Sequence, residues 1–198
     1  IIIFWLILII GCNDEEISVT YENRVDYYYS QRNLILAEKL IDSCINNNIV
    51  SSKFYHYKGL FFKIRNESYL AYSNFLKALE FPEAKISHNT YIELSNYHLN
   101  SDHNLDSANY YVNKALIISR YDKKALFVKA VVMSRMNLEN EFIKYIRLTM
   151  IHDTENCRAS YMYGVHLQTK NMHDSAIYFF NNSISNLRVL QIQVPNQV

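Results

Sequence analysis

Asp106-Ser107-Ala108-Asn109-Tyr110-Tyr111 and Asp174-Ser175-Ala176-Ile177-Tyr178-Phe179 share one chemical pattern: an acid, a serine, an alanine, a variable residue and two aromatics. The two alanines lie 68 residues apart, which is twice 34. A fixed period in that range marks stacked copies of one supersecondary unit. Stepping back from Ala108 by 37 gives Ala71, and a further 34 gives Ala37. The remaining site, 34 beyond Ala108, holds Phe142. Four residues after these sites stand Ile41, Phe75, Val112, Ile146 and Phe180, and eight after them Ile45, Leu79, Leu116, Met150 and Ile184. All ten are apolar, and a step of four keeps them on one face of a helix.

A second helix precedes each of these. Twelve residues before the alanine site stand Val25, Gly59, Asn96, Ala130 and Gly164, and three further on Tyr28, Phe62, Leu99, Met133 and Leu167. A small residue on each of two antiparallel helices lets their backbones approach, and a large neighbour fills the groove beside it. Asn66, Asn137 and Asn171 fall between the helices, where a left-handed residue is wanted and Asn substitutes for Gly. Asp106 and Asp174 are expected to cap the second helices.

The composition agrees with this pattern. Of 198 residues about half are hydrophobic, including 17 Tyr and 10 Phe, while Gly and Pro number three and two. Scarce turn-formers argue against an all-β chain. A net charge of +1 removes the electrostatic case for a nucleic-acid partner. The fold expected is all-α, an α–α superhelix or solenoid of about five helix-turn-helix units.

These spacings resemble the tetratricopeptide repeat family. Its Gly-x-x-aromatic signature is present as Gly59-x-x-Phe62, and its Ala-x-x-x-aromatic as Ala71-x-x-x-Phe75 and Ala176-x-x-x-Phe180, with Pro82 closing the second unit. The resemblance covers residues 18–185, in units near 18–51, 52–85, 89–122, 123–156 and 157–185. The fourth unit departs from it, with Phe142 in the alanine site and Thr149 where Ala78 and Ala115 stand. Splayed helices or a register shift of one are the expectations there. The step of 37 places three extra residues near Glu83–Ser87.

Ahead of the array, Ile1–Ile10 is wholly apolar and ends Ile9-Ile10-Gly11-Cys12, followed by Asn13 and three acids. The run is too short for a bilayer span of roughly 20 residues and fits the apolar core of a secretory signal. It resembles a bacterial lipobox. Residues 1–12 are thus expected to be a signal whose start lies upstream, with Cys12 acylated, followed by an acidic linker at 13–17. Acidic residues just after the cysteine resemble the surface-export signal of lipoproteins in some Bacteroidetes. The location this implies is the bacterial cell envelope, lipid-anchored at the outer membrane on its periplasmic or surface side. Cys44 and Cys157 lie too many units apart for the roughly 4.4–6.8 Å Cα separation of a disulfide. The tail at 186–198 alternates like a strand from Val189 to Val194.

No Gly-rich phosphate loop, His-Glu-x-x-His or paired CxxC is present, and neither His98/His103 nor His166/His173 has metal-ligand spacing. No carboxylate pair suggests catalysis, so neither an enzyme nor a cofactor is expected. The resemblance implies a protein or peptide partner held on the concave side by the first helices. The inward positions then include His56, Tyr97, Phe127 and Tyr161, with Lys124, Arg135 and Arg158 beside them. They suit an extended peptide with an acidic or carboxylate feature anchored on the aromatics. The Lys/Asn carboxylate clamp of some eukaryotic members is not reproduced. The reading is an envelope adaptor. The alternatives are a subunit of an outer-membrane assembly or pilus machine, and the sensory front of a longer regulator or enzyme.

Overall fold

The computed structural model describes residues 14–81 and 84–193, with side chains over 18–81 and 86–187. Among them are ten helices and no strand: α1 (Asp14–Ser30), α2 (Leu34–Asn46), α3 (Ser52–Ile64), α4 (Ser68–Ala78), α5 (Ala84–Asn100), α6 (Leu105–Ile118), α7 (Lys123–Arg135), α8 (Glu139–His152), α9 (Cys157–Thr169) and α10 (His173–Gln193). The chain forms two compact units, through Tyr97 and from His98. Within each, consecutive helices pack as antiparallel pairs. The fold is all-α and of solenoid type.

Local chemistry sets the helix ends. Side chains of Asn33, Ser51, Asn104, Asp122 and Asn156 accept a hydrogen bond from the backbone N–H three residues on, capping α2, α3, α6, α7 and α9. Asp106 is therefore not the cap of α6. It already has a helical place in the first turn, and Asn104 does the capping. Asp174 likewise lies in the first turn of α10, which begins one residue earlier. Both carboxylates complement the helix dipole without capping the helix.

The five turns within pairs share one device. Asn66, Asn137 and Asn171 have φ of 61°, 56° and 59°, as their positions led one to expect, and Arg32 and His103 take the same conformation. The next residue's N–H then bonds back to the carbonyl five residues earlier, on Tyr28, Phe62, Met133 and Leu167 in four of the turns. This is the Schellman closure. It is firm enough to hold Arg32 in a region that side chain enters rarely, whereas after His103 the Asn104 N–H donates to the Asp102 carboxylate instead.

The alanine sites are core. Ala37, Ala71, Ala108 and Ala176 are buried, as are Ile41, Phe75, Val112 and Ile146 one turn on. Gly59 and Gly164 are required by that turn. A Cβ on Gly59 would lie 2.5 Å from the Phe75 ring, and one on Gly164 would lie 2.8 Å from Phe180. Where the second helix offers Phe, the first offers no side chain at all. Ala130 and Val25 stand opposite the smaller Ile146 and Ile41.

Two expectations change. The fourth pair is not splayed: α7 and α8 pack as extensively as α3 and α4. Phe142 is buried and meets the His166 ring of α9 edge-on at 5.4 Å, so the large side chain fills space toward the next pair. Thr149 keeps its hydroxyl satisfied on the Tyr145 carbonyl at 2.9 Å. The tail as far as Gln193 is not strand-like either, because α10 runs on to that residue. Extending an existing helix gains one hydrogen bond per residue, and the alternation finds no strand to pair with among the described residues. The added length lies at the start of α5, which begins 12 residues before Asn96 where α3 begins seven before the equivalent Gly59. Pro82, Glu83 and the segment 1–13, Cys12 included, lie outside the described residues.

Candidate protein-binding site

The inward positions differ between the two units. In the first, α1 contributes Glu22 and Asp26, and α3 contributes Lys53, His56 and Tyr57. Lys53 lies 3.3 Å from the Glu22 carboxylate and 3.0 Å from Asp26, whose other oxygen accepts from the Tyr57 hydroxyl at 2.7 Å. Lys53 is a little desolvated, but Asp26 and Glu22 outweigh this and raise its pKa. Burial, reinforced by the Asp26 carboxylate, holds the Tyr57 phenol well above its usual range. Lys63 of α3 pairs with Glu93 of α5. His56 is buried, 2.9 Å from the Thr90 hydroxyl and packed on Phe75 at 5.6 Å. Tyr97 is half-buried and stacks on Tyr72 with ring centres 4.4 Å apart. This surface has used its charges and most of its rings on itself.

The second unit leaves more of them open. Lys124 and Arg158 hold equivalent places in the first turns of α7 and α9, and both are exposed. Three residues after them come Phe127, half-buried, and Tyr161, 56% exposed. A cation and an aromatic therefore recur one helical turn apart on two first helices in succession. Arg135 is spent: its guanidinium donates to the Leu99 carbonyl at the end of α5. A cleft of about 530 Å³ opens beside Tyr161, lined by Val165 and His166 of α9 and by Leu138 and Phe142 at the start of α8. Lys170 and Glu139 close its rim with a 2.8 Å ion pair. The Lys170 ammonium, with His166 behind it, holds the Glu139 carboxyl below its usual pKa.

Of the seven binding residues expected from sequence, the cleft lining includes Tyr161 alone. Leu138 and Phe142 were not anticipated because they belong to a turn and a second helix, which a reading confined to first-helix positions passes over. Lys129 was missed for another reason. It is buried in α7, where it donates to Asn113 at 2.8 Å and to Asn109, and burial lowers its pKa. A lysine among apolar neighbours reads as a surface residue until its two Asn partners, 16 and 20 residues away, are brought beside it. Among the described residues no cluster of three or more His, Cys, Asp or Glu side chains gathers. No helix of theirs is long and apolar enough to cross a membrane.

Neither a protein family nor a curated protein sequence matches the chain. Solved structures do. YrrB, described as "a TPR protein with an unusual peptide-binding site", superposes with a TM-score of 0.64 at 17% identity over 85% of this chain and 86% of its own. The chain has the tetratricopeptide-repeat fold. MamA from Desulfovibrio magneticus RS-1 shares this fold with a TM-score of 0.68 at 13% identity, over 87% and 96% of the two chains. PilF of Pseudomonas aeruginosa shares it with a TM-score of 0.71 at 12% identity, over 87% and 78%. The tetratricopeptide-repeat likeness thus extends over nearly all of the array rather than one helix pair.

Proposed function

We propose that this chain is a non-enzymatic protein-interaction scaffold, a lipid-anchored adaptor of the bacterial cell envelope that holds an acidic peptide segment of a protein partner. One observation carries the peptide reading: Lys124 with Phe127, and Arg158 with Tyr161, repeat an exposed cation beside an aromatic, and among the described residues no acid pairs with either cation. An exposed ammonium and guanidinium favour carboxylates, and rings beside them supply apolar area once water is excluded. That YrrB is described as having a peptide-binding site supports the class of ligand. The anchor rests on Gly11-Cys12 at the end of the apolar run.

Two measurements test the two halves. An array of synthetic acidic peptides, paired with the same peptides carrying Lys for Glu, is probed with the purified chain. Acidic members are expected to be retained, and Arg158→Glu with Tyr161→Ala to weaken retention at least tenfold, matching about 1.4 kcal/mol or more. Equal retention of both arrays sinks the peptide reading. For the anchor, Cys12→Ser should move the chain from the membrane pellet to the soluble fraction. Its persistence in the pellet rejects lipidation.

A further inference from the structure

A second cleft, also of about 530 Å³, opens between two second helices, α8 and α10. One repeat position explains why it is there. Sixteen residues before the alanine site, the first four pairs carry Tyr21, Tyr55, Ile92 and Leu126, all large. Ile92 and Leu126 are buried. The last pair carries Ser160 instead, and the space a large side chain would take is left to the cleft. Ser160 is 5% exposed and lines the cleft, yet its hydroxyl has no hydrogen-bond partner among the described residues. So buried a hydroxyl is stabilised by a polar group from outside the chain.

The charge at this cleft is reversed against the other pairs. Five residues after the alanine site, Asp42 and Asn113 accept from lysines of the next first helix, Lys58 at 2.6 Å and Lys129 at 2.8 Å. In the fourth pair that place holds a cation, Arg147, which lines the cleft. Its Nε and Nη2 donate to the hydroxyl of the buried Tyr163 at 3.2 and 2.9 Å. The guanidinium is thus held by one side, with its end-on pair of N–H groups left open. Among the described residues no acid pairs with Arg147, and none lines the cleft. Met150, Ile151 and Phe179 form apolar walls. Phe179 meets Tyr163 of α9 edge-on at 4.8 Å, so α10 lines the cleft with its inward side rather than its outer face.

We propose that this cleft binds a carboxylate carried on an apolar group, with Arg147 and the Ser160 hydroxyl taking the carboxylate and the three apolar walls the rest. A guanidinium fork matches a carboxylate with two parallel hydrogen bonds. One cation beside neutral donors suits a single negative charge better than the double charge of a phosphate. Asn182, half-buried in the same lining, offers an amide to the polar group adjoining the carboxylate. The volume lies within the roughly 300–1,000 Å³ of small-molecule sites. This chemistry occurs in a free alkyl or aryl acid and at the C-terminus of a peptide. The site shares no residue with Lys124, Arg158 or Tyr161 and does not rest on the peptide surface they form.

Saturation-transfer NMR on the purified full chain tests this. Titration with phenylbutanoate against phenylbutanamide covers the free acid, and acetyl-leucyl-phenylalanine against its C-terminal amide covers the chain end. In at least one set the carboxylate should bind about tenfold tighter than the amide, and that set identifies the source. Arg147→Gln should remove the preference. Ser160→Leu, which restores the residue type of Leu126, should abolish binding of acid and amide alike with helicity retained. Circular dichroism checks folding, and Thr154→Glu, an acid at the exposed rim, replaces Arg147→Gln if the latter loses helicity. Equal binding of acid and amide in both sets overturns the proposal, as does binding that Ser160→Leu leaves unchanged. Loss of the carboxylate preference in Arg158→Glu/Tyr161→Ala also overturns it, because the probe then sits on the first-helix surface. Preference kept in that variant while acidic-peptide retention falls separates the two sites.

Discussion

The first-helix surfaces of the two units are built at the same repeat positions yet end in opposite electrostatic states. In the first unit Lys53 faces Glu22 and Asp26, Lys63 faces Glu93, and His56 is sealed against Thr90. In the second, Lys124 and Arg158 occupy the Lys53 position with no acid opposite among the described residues, and aromatics stand where His56 does. Charges satisfied within the chain lose most of their value to a partner, because breaking them costs what the new contact gains. One scaffold thus carries a self-satisfied surface and a receptive one, and the choice lies in two or three side chains per pair.

That contrast can be broken in three ways, and the backbone spacing beneath it gives the largest effect. Gly59→Ala places a Cβ 2.5 Å from the ring of the buried Phe75, and repacking should cost about 2 kcal/mol after the helix-propensity gain of Ala over Gly. Gly164→Ala meets Phe180, which is only half-buried and can swing outward, so its cost should be about 1 kcal/mol. Urea unfolding of both variants gives the comparison, and equal midpoints would show that Phe75 is not held as the packing implies.

Next come the cations. Lys53→Ala strands the part-buried Glu22 carboxylate and should destabilise by about 1–2 kcal/mol. Lys124→Ala should stay within about 0.5 kcal/mol of wild type, as an exposed side chain without an ion pair. If the two cost the same, the first surface is no more self-satisfied than the second.

The smallest effect concerns pH and compares Lys53 with Lys129. The folded pKa of Lys53 is raised, so its contribution is complete below the unfolded value near 10.5 and is lost as pH climbs through the folded value. Burial lowers the folded pKa of Lys129, so its desolvation cost persists below that value and is relieved as pH rises toward 10.5. Between neutral pH and 11, Lys53→Met should flatten the alkaline fall in stability and Lys129→Met should steepen it. A fluorescence-monitored melt at each pH reads the two slopes, and changes from the wild-type slope in the same direction would contradict the assigned environments.

Much of the array was legible from a few positions. Ala108 and Ala176 share a period because the same small residue must admit the same neighbouring helix, and a spacing of four between apolar residues has one helical meaning. Asn66, Asn137 and Asn171 disclosed their turns because few side chains tolerate positive φ. Arg32 and His103 did not disclose theirs, since neither residue type signals that conformation; a Schellman bond closes the Arg32 turn, and the Asp102 carboxylate takes the N–H that follows His103. Phe142 misled for a related reason. Its size at an alanine site suggested a faulty pair, when the space lay toward α9 and His166.

The candidate site was legible in residue type but not in state. Sequence alone determined the number and period of the helix pairs, their small-against-large packing, and which residues lie on the first helices, because these follow from local periodicity and side-chain volume. Only the tertiary structure decided that His56 is buried, that Arg135 is spent on the Leu99 carbonyl, and that Lys53 is neutralised while Lys124 is open. Those outcomes depend on which side chain from another helix arrives within a few ångströms, and contacts across 30 or so residues leave no mark on the local pattern.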